Sequence, residues 1–437
     1  MTSKLLCQTA SVCPVCLKQI PAEKYLIDGE VIMKKNCPEH GDFEAVVWRG
    51  ETDIADWCQT NAQFNGNPLC PTACGLCEQH QQDTCCVVYE ITKRCNLNCR
   101  FCFADAGTES DIPLSQIKED LQKMIVPGKT LVQISGGEPT VRDDLPQIIQ
   151  AAKAAGAKYV QLNSNGIRLA EDEAFLASIV KAGVSFVFMQ FDGTDDSIYQ
   201  YLRHKPLLQT KIKAIKNCEK YGLGVTLVPT LVKNLNTENI GEIIRIGMSM
   251  SPTVRGIHFQ PASYFGRIPQ TPQNETRYTL GELLDDIEKQ TNGFVKKDNL
   301  APACCDHPLC GFHGSFVVLP DNTLMPLTVR KAGNSCCCGG ATAEENREYV
   351  GSRWERSPEM AQETNFDITT MEGFVNRVKA YGFTITSMAF QDAWNLDLAR
   401  LQKCSLHVFK NGKFIPLCAN YLTSSTGRSI HNDTKQA

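Results

Sequence analysis

Three cysteines, Cys95, Cys99 and Cys102, lie within eight residues, directly after the apolar segment 87–91. Thiols this close in sequence do not readily form disulfides with one another, but a tight loop can turn all three toward one face of an iron–sulfur cube. A cube has four irons, so three ligands leave one iron open to a small molecule. The spacing favours an open-vertex [4Fe–4S] cluster, and a zinc site or a reduced cysteine-rich loop is the alternative.

The region around this loop alternates apolar segments with helical patterns. Strands are predicted at 86–92, 130–135, 159–163, 184–191, 225–231 and 256–260, and helices at 114–125, 145–155, 171–182, 207–221 and 239–250. Strands separated by helices imply a parallel α/β sheet with right-handed crossovers, either doubly wound or curled into a partial barrel. Ligands of such sheets bind at the carboxyl ends of the strands, where the cysteine loop would lie.

Glycines and polar residues follow the next strands at the same predicted face. They are Gly136, Gly137 and Glu138 after the second strand, Asn163 and Asn165 at the third, and Gln190 and Asp192 at the fourth. Paired glycines let the backbone approach a ligand closely, and a carboxylate can hold an ammonium group. Asn165 could equally be a turn residue before Gly166.

The first 66 residues predict a separate metal site. Two cysteine-bearing turns flank a hairpin predicted at Asp28–Gly29, and the proposed ligands are Cys13, Cys16, Cys37 and His40. Cys58 would replace His40 if that histidine is only a turn residue. Paired ligands of this spacing indicate a ribbon that holds one zinc or one iron, in preference to unmetallated thiols.

A second cysteine run precedes the first barrel strand. Cys70, Cys74 and Cys77 are followed after a short polar loop by Cys85, and together they would complete an all-cysteine cube suited to electron transfer or structure. Cys86 is expected to point away from Cys85, because side chains alternate between the two faces of a strand.

Composition limits the classes of function. The chain has 437 residues, 22 of them cysteine, and a net charge of −4 from 44 basic and 48 acidic residues. No basic field for nucleic acid is expected, and no run of 18 apolar residues predicts a transmembrane segment. Without a secretory h-region at its start, the chain is expected to be cytoplasmic, with its cysteines holding metals as thiolates.

The cysteine loop and the sequence Gly136-Gly137-Glu138-Pro139 together resemble the radical S-adenosylmethionine (SAM) superfamily, and Phe101 occupies its usual aromatic position before the third cysteine. The resemblance implies a partial (β/α)6 TIM barrel whose open iron chelates SAM and generates a 5′-deoxyadenosyl radical. It implies that the Gly-Gly-Glu-Pro turn binds the SAM amino group and that the later strand ends hold its ribose and carboxylate. Arg203 would reach the SAM carboxylate, or would be a solvated arginine.

A narrower resemblance covers nearly the whole chain. The order of cysteine motifs and the segment 260–267 are similar to the branch that contains tetraether lipid synthase and the radical methylases of methanopterin synthesis. That branch implies a second auxiliary cluster, here matched by Cys305, Cys310, Cys404 and Cys418, with Cys304 and His307 as competing ligands. The run Cys336, Cys337 and Cys338 resembles a TrsS-like (seleno)protein group and predicts a thiol-rich mobile loop for redox exchange, soft-metal binding or covalent capture.

These observations predict four parts: a rubredoxin- or zinc-ribbon-like domain (1–66), an auxiliary-cluster segment (67–86), the radical SAM barrel (87–268) and a C-terminal auxiliary-cluster and substrate domain (269–437). The expected activity is radical functionalisation of an unactivated carbon by C–C bond formation, methylation or C–S/Se chemistry. The substrate could be a lipid, a small molecule or a peptide, and flavodoxin or ferredoxin would supply electrons. The alternatives are a non-catalytic iron–sulfur electron-transfer protein and a peptide-modifying radical SAM enzyme.

Overall fold

The computed structural model describes residues 3–58, 64, 66–73, 75–107, 111–330, 341–356 and 366–431. Four of the cysteines considered above lie outside these ranges: Cys74, Cys336, Cys337 and Cys338. What the sequence predicts of them stays a prediction.

An antiparallel sheet forms the start of the chain. Over residues 3–58 its strands, in spatial order, are β1 (Ser3–Val12), β2 (Gln19–Ile27), β3 (Glu30–Cys37) and β4 (Gly41–Trp48), followed by helix α1 (Ile54–Trp57). The turn between β2 and β3 consists of Asp28 and Gly29, whose φ angles of 49° and 88° are those a two-residue hairpin turn requires. The predicted hairpin is confirmed.

The middle of the chain alternates strands and helices. Its elements are β5 (Cys86–Glu90), α2 (Leu114–Met124), β6 (Leu131–Ser135), α3 (Leu145–Ala154), β7 (Tyr159–Ser164), α4 (Ile167–Glu171), α5 (Glu173–Ala182), β8 (Phe186–Gln190), α6 (Asp196–Arg203), α7 (Leu208–Lys220), β9 (Gly224–Val228), β10 (Thr230–Leu231), α8 (Ile240–Ser249) and β11 (Val254–Pro261). Within the described ranges, β5, β6, β7, β8, β9 and β11 lie side by side and parallel, which confirms the partial (β/α)6 barrel.

Three local differences from the predicted elements have physical causes. The helix predicted at 171–182 begins at Glu173, because the Asp172 side chain accepts a hydrogen bond from the backbone N–H of Phe175 and caps α5, and the short helix α4 before it was not predicted. The strand predicted at 225–231 is interrupted at Pro229, which has no N–H to donate. Helix α6 was not predicted, although its apolar residues Ile198 and Leu202 are buried at helical spacing.

The C-terminal third extends the barrel sheet at both edges. Its elements are α9 (Leu280–Gln290), β12 (Ala301–Pro302), β13 (Gly311–Val318), β14 (Leu324–Pro326), α10 (Ala343–Trp354), α11 (Met371–Tyr381), β15 (Gly382–Met388), α12 (Leu398–Leu401), β16 (Leu406–Lys410), β17 (Lys413–Pro416) and α13 (Leu417–Asn420). Strand β15 pairs in parallel with β11, and β16 pairs in parallel with β5. The segment before β13 therefore lies beside the carboxyl end of β15, whereas β16 begins beside the first residue of β5.

The N-terminal sheet packs on the same core as the barrel. Trp48 and Trp57, with ring centroids 5.9 Å apart, belong to the apolar cluster that also contains the barrel core. A buried ion pair between Lys24 and Asp397 joins β2 to the start of α12, and Thr9 donates a hydrogen bond of 2.7 Å to the same carboxylate. No helix in the described ranges is both long and apolar enough to cross a membrane.

Candidate functional site

The predicted cluster cysteines lie at the mouth of one cavity. Cys95, Cys99 and Cys102 are half-buried and line a space of about 320 Å³ at the carboxyl ends of the barrel strands. Burial raises the pKa of the Cys95 thiol to about 12 and also raises that of Cys102. A desolvated thiol ionises when a metal binds it, so the three side chains suit an iron–sulfur group that the cavity can receive.

The predicted glycine pair packs against the backbone just before the cysteine loop. A Cβ on Gly136 would lie 2.3 Å from the carbonyl oxygen of Thr92, and one on Gly137 would lie 2.2 Å from that of Arg94. Gly137 donates to Thr92 at 2.8 Å, and Glu138 donates from its backbone N–H to Arg94 at 2.9 Å. Both glycines also line the cavity, and their small size lets this turn hold the start of the cysteine loop.

Glu138 connects the second and third strand ends. Its buried carboxylate accepts hydrogen bonds from the hydroxyls of Thr140 and Ser164 at 2.7 and 2.8 Å and from the backbone N–H of Asn165 at 2.6 Å. Burial raises the pKa of Glu138, and these donors oppose that rise. The carboxylate thus fixes two of the loops that border the cavity.

Asn165 is a turn residue, as one of the two sequence interpretations expected, and its role in SAM binding stays a prediction. Its Oδ1 accepts from the N–H of Ile167, as a turn residue before Gly166, and its Nδ2 donates to Oδ1 of Asn96 in the cysteine loop at 2.6 Å. Asn163 also lines the cavity and accepts a hydrogen bond from Gln161. The third strand end therefore braces the cysteine loop directly.

Arg203 is buried in a two-point ion pair with Asp192. Nε and one terminal nitrogen donate to the two carboxylate oxygens at 2.8 and 2.7 Å, and Arg203 is 5% exposed. Burial alone would lower the pKa of the Arg203 guanidinium, but the neighbouring Asp192 carboxylate and Cys99 raise it. Gln190 donates to Asp192 from the same strand end. Arg203 is not a solvated side chain and borders the cavity beside the cysteine loop.

Phe101 forms part of the cavity lining as well. Its ring meets that of Tyr264 edge-on with centroids 6.0 Å apart, and Tyr264 is buried. The contact holds the segment between the second and third cysteines against the chain that follows β11.

Sequence reasoning missed Lys211, which lies behind the same loops. Its ammonium group is fully buried and donates to the carbonyl oxygen of Asn165 and to Oε1 of Gln190, the latter at 3.0 Å. Burial lowers its pKa to about 8. A signal existed: Lys211 stands in register with the buried residues Ala214, Ile215 and Cys218 of α7.

Aromatic and neutral polar side chains line the wall of the cavity away from the cysteine loop. Phe188 lies against Trp354 and His258, with centroid distances of 4.5 and 5.3 Å. Burial lowers the pKa of His258 to about 4, so the ring is neutral near pH 7, and its Nδ1 lies 2.9 Å from the Thr386 hydroxyl. Such a wall suits a flat, uncharged ring system better than an ion.

A group of thiols lies on the same wall. Cys85, Cys86 and Cys305 are buried and line the cavity, and the sulfurs of Cys85 and Cys86 are 3.5 Å apart. Asn346 donates to the Cys85 sulfur at 3.3 Å. The expectation that Cys86 points away from Cys85 is wrong, because strand β5 begins only at Cys86 and face alternation does not extend to the residue before it.

The predicted partners of Cys85 lie in the segment before β5. Cys70 is half-buried beside the apolar cluster around Trp394, and Cys77 is exposed, with its sulfur 3.8 Å from Nδ2 of Asn67. The set of Cys70, Cys74, Cys77 and Cys85 stays a prediction, because Cys74 lies outside the described residues.

Three of the four predicted C-terminal ligands line one small, enclosed cavity. Cys310 accepts a hydrogen bond from Nε of Arg400 at 3.0 Å, Cys418 accepts one from the backbone N–H of Gln391 at 3.3 Å, and Cys404 lies beside them. Thiols clustered in the interior near a guanidinium fit a metal group held as thiolates. Cys305, the fourth predicted ligand, faces the larger cavity instead.

Cys304 and His307, the alternative ligands that the sequence offered for the C-terminal cluster, are each bonded elsewhere. Nδ1 of His307 accepts the backbone N–H of Leu309 at 3.2 Å, and burial lowers the pKa of this histidine to about 3. Cys304 is disulfide-bonded.

The N-terminal ligand set is brought together closely. Among the residues that the structure describes, this is the one group whose ligand atoms all lie within 4.8 Å of one another: Cys13, Cys16, Cys37 and His40. Burial opposes ionisation of Cys37, but hydrogen bonds led by that of His40 lower its pKa to about 6. The donors fit a tetrahedral zinc or iron ion, and Cys58 is not part of the group.

Comparisons with known proteins agree with this geometry. The family model described as "Radical SAM superfamily" matches residues 89–246, and "HMPTM N-terminal zinc ribbon domain" matches residues 5–49. The chain is 31% identical to 7,8-dihydro-6-hydroxymethylpterin dimethyltransferase of Methanocaldococcus jannaschii over 94% of this chain and 92% of that protein. It is 28% identical to Fe-coproporphyrin III synthase of Methanosarcina barkeri over 51% of this chain and 56% of that one.

Among solved structures, SuiB of Streptococcus suis bound to S-adenosylmethionine is similar with a TM-score of 0.40 and 18% identity, over 49% of each chain. The match to the dimethyltransferase is far more extensive, since it spans nearly all of both chains. The chain is therefore an enzyme of the radical SAM superfamily, whose members bind a [4Fe–4S] cluster and SAM, and it belongs to the branch that contains this pterin dimethyltransferase.

Proposed function

We propose that this enzyme methylates, or otherwise forms a carbon–carbon bond to, an unactivated ring carbon of a flat nitrogen heterocycle of the pterin class. The observation that carries the proposal is a single cavity that joins the loop of Cys95, Cys99 and Cys102 to the aromatic wall of Phe188 and Trp354. The near full-length similarity to a protein named as a pterin dimethyltransferase supports the choice of substrate class and reaction.

The cysteine loop would hold the catalytic cluster. Cys95, Cys99 and Cys102 are the proposed ligands, and the reduced cluster supplies the electron that cleaves SAM to methionine and a 5′-deoxyadenosyl radical. Around them, the turn at Gly136 and Gly137 fixes the loop from one side. A fixed loop keeps the reacting atoms aligned, which is the main contribution of the protein to such a reaction.

The proposed SAM site lies beside this loop at the strand ends. Arg203 has its charge partly neutralised by Asp192, so it can orient a carboxylate without adding a full positive charge to the cavity. Phe101, Gly136, Gly137 and the carboxylate of Glu138 border the same space, and we assign them with Asn163, Asn165, Gln190 and Asp192 to SAM binding or to positioning the SAM-binding loops.

The substrate would lie against the far wall. Phe188 and Trp354 offer ring faces for stacking, and neutral His258 offers a hydrogen bond in place of a charge. An apolar wall also keeps water away from the radical.

The remaining parts would serve electron flow and stability. Cys70, Cys74, Cys77 and Cys85 are proposed to hold one auxiliary cluster, and a second would be held by a set that includes Cys310, Cys404 and Cys418. Cys13, Cys16, Cys37 and His40 would hold zinc or one iron. Radical SAM enzymes need a reductant, and we propose that flavodoxin or ferredoxin serves as the reductant in the cytoplasm.

We propose that the chain is divided into four parts, with the boundaries 1–66, 67–86, 87–268 and 269–437.

Anaerobic incubation of the reconstituted enzyme with SAM, dithionite and deuterated 7,8-dihydro-6-hydroxymethylpterin tests this proposal. The 5′-deoxyadenosyl radical should abstract deuterium from the pterin, so mass spectrometry should show deuterium in 5′-deoxyadenosine, and Trp354→Ala should lose most of that transfer while SAM cleavage continues. If SAM is cleaved but the 5′-deoxyadenosine of the parent enzyme contains no deuterium, the substrate assignment is wrong.

A further inference from the structure

Two cavities of this enzyme share a wall, and Asp306 is part of it. The larger cavity contains the cysteine loop and the aromatic wall, and the smaller contains Cys310, Cys404 and Cys418. Five described residues line both: Asp306, Met388, Phe390, Leu406 and Leu417. Asp306 is the one ionisable side chain among these five, so it alone could bind iron as an anionic ligand from the shared wall.

The small cavity brings three thiols and one carboxylate together. Cys310 and Cys418 are buried, Cys404 is half-buried, and the carboxylate of Asp306 completes the set of candidate ligands around the space. Arg400 donates to the Cys310 sulfur at 3.0 Å, which places a positive charge where anionic ligands would gather. A [4Fe–4S] group needs four ligands, and this cavity offers four.

Cys305 faces only the larger of the two cavities. It lines the larger cavity with Cys85 and Cys86 and is absent from the lining of the small one, although it adjoins Asp306 in the chain. The backbone N–H of Ser405, next to Cys404, donates to Oδ1 of Asp306 at 2.7 Å. That hydrogen bond holds the carboxylate beside the three thiols and would orient it as a ligand.

We propose that Asp306, and not Cys305, is the fourth ligand of the C-terminal [4Fe–4S] cluster, with Cys310, Cys404 and Cys418. Asp306 would hold its iron at the wall that the two cavities share. A carboxylate oxygen is a harder and more easily displaced ligand of iron than a thiolate. A nitrogen or oxygen atom of the substrate could therefore replace it, a ligand exchange that would move no electrons. The role toward substrate rests on the proposed function, whereas the ligand set does not.

The ligand set is tested in a protein that lacks the radical cluster, in which Cys95→Ala, Cys99→Ala and Cys102→Ala are combined. Cys310→Ala, Asp306→Ala, Asp306→Cys and Cys305→Ala are added to this background one at a time. After anaerobic reconstitution, iron and sulfide are counted, and electron paramagnetic resonance (EPR) is recorded after mild oxidation. Circular dichroism confirms that each variant folds.

The proposal predicts that Cys305→Ala leaves the iron count unchanged and that Cys310→Ala lowers it. Asp306→Ala should lose about one iron and show the EPR signal of a three-iron cluster, because one corner of the cube has lost its ligand. Asp306→Cys should keep that iron and show no such signal. The proposal is overturned if Cys305→Ala lowers the iron count, or if Asp306→Ala leaves both iron and EPR unchanged.

Access from the larger cavity is tested with 13C-labelled cyanide, which binds an exchangeable iron. The reduced protein lacking the radical cluster should show a 13C hyperfine coupling, and Asp306→Cys in the same background should show none. Absence of the coupling in both proteins, or its presence in both, would contradict an exchangeable carboxylate at this wall. Because the radical cluster is absent throughout, failure here is distinct from failure of the proposed pterin chemistry.

Discussion

Asp192 and Arg203 form an ion pair that is almost wholly removed from solvent, with two parallel hydrogen bonds of 2.7 and 2.8 Å. Asp192 follows β8 and Arg203 is the last residue of α6, so the pair fixes this helix to the fourth barrel strand. The carbonyl of Leu202, the residue before Arg203, accepts a hydrogen bond of 3.0 Å from the backbone N–H of Arg100 in the cysteine loop. The pair thus connects a strand end to the proposed cluster loop.

Removing one partner of this ion pair should destabilise the protein strongly. Asp192→Asn leaves the Arg203 charge buried without its counterion, and a loss of about 3–5 kcal/mol in the free energy of unfolding is expected. The double variant Asp192→Asn, Arg203→Met removes both charges and should recover part of the loss. Anaerobic urea unfolding followed by tryptophan fluorescence measures both, and an Asp192→Asn protein as stable as the parent would contradict the buried pairing.

The glycines at the second strand end should be needed for their size. Gly136→Ala and Gly137→Ala each place a Cβ within 2.3 Å of a carbonyl oxygen at the start of the cysteine loop. Relieving such a contact takes a shift of about 1 Å, and a misplacement of that size can cost about 100-fold in rate.

The rate of SAM cleavage under dithionite measures this effect. Gly107→Ala is the matched control, because Gly107 lies at the end of the same loop, where an added Cβ meets no atom within 4 Å. Equal rates for Gly137→Ala and Gly107→Ala would show that the close packing is unimportant.

Lys211 should make the stability of the fold depend on pH. The unfolded chain binds this proton with the ordinary lysine pKa of 10.5, but the folded protein binds it with a pKa of only about 8. The unfolded state therefore holds more protons between these two values, and the stability of the parent rises with pH across that window. At 1.36 kcal/mol per pKa unit the full effect is about 3 kcal/mol.

Lys211→Met lacks this contribution, so its stability relative to the parent should fall as the pH rises from 8 to 10. Lys213→Met, which removes an exposed lysine from the same helix, is the control. Unfolding free energies at both pH values give the comparison, and a difference that stays constant or grows in favour of Lys211→Met would contradict the assignment.

The parallel strands, the hairpin at Asp28–Gly29 and the N-terminal ligand group could all be predicted, because each rests on local pattern and short spacing. The arrangement of the other thiols could not. Cys85 directly precedes β5, and Cys305 precedes β13, which extends the barrel sheet beyond its opposite edge, so these cysteines are far apart in sequence and reach one cavity only in the folded chain. Cys305 and Asp306 are neighbours, and the irregular bend that brings Asp306 to both cavities but Cys305 only to the larger one follows no periodic pattern.

The N-terminal metal should depend on His40 and not on Cys58. His40→Ala removes one of four ligands that lie within 4.8 Å of one another, and the bound metal should fall from about one per chain to nearly none. Cys58→Ser should keep the metal. Metal analysis of the purified variants decides between them, and retention in His40→Ala with loss in Cys58→Ser would reverse the ligand assignment.

5′-Deoxyadenosine is the product that tests the proposed cluster loop most directly. The reconstituted parent, reduced by dithionite under anaerobic conditions, should convert SAM to 5′-deoxyadenosine and methionine, and Cys99→Ala should form none although its other metal sites remain filled. If the parent forms no 5′-deoxyadenosine while its clusters are demonstrably reduced, or if Cys99→Ala forms as much as the parent, radical generation at Cys95, Cys99 and Cys102 is contradicted.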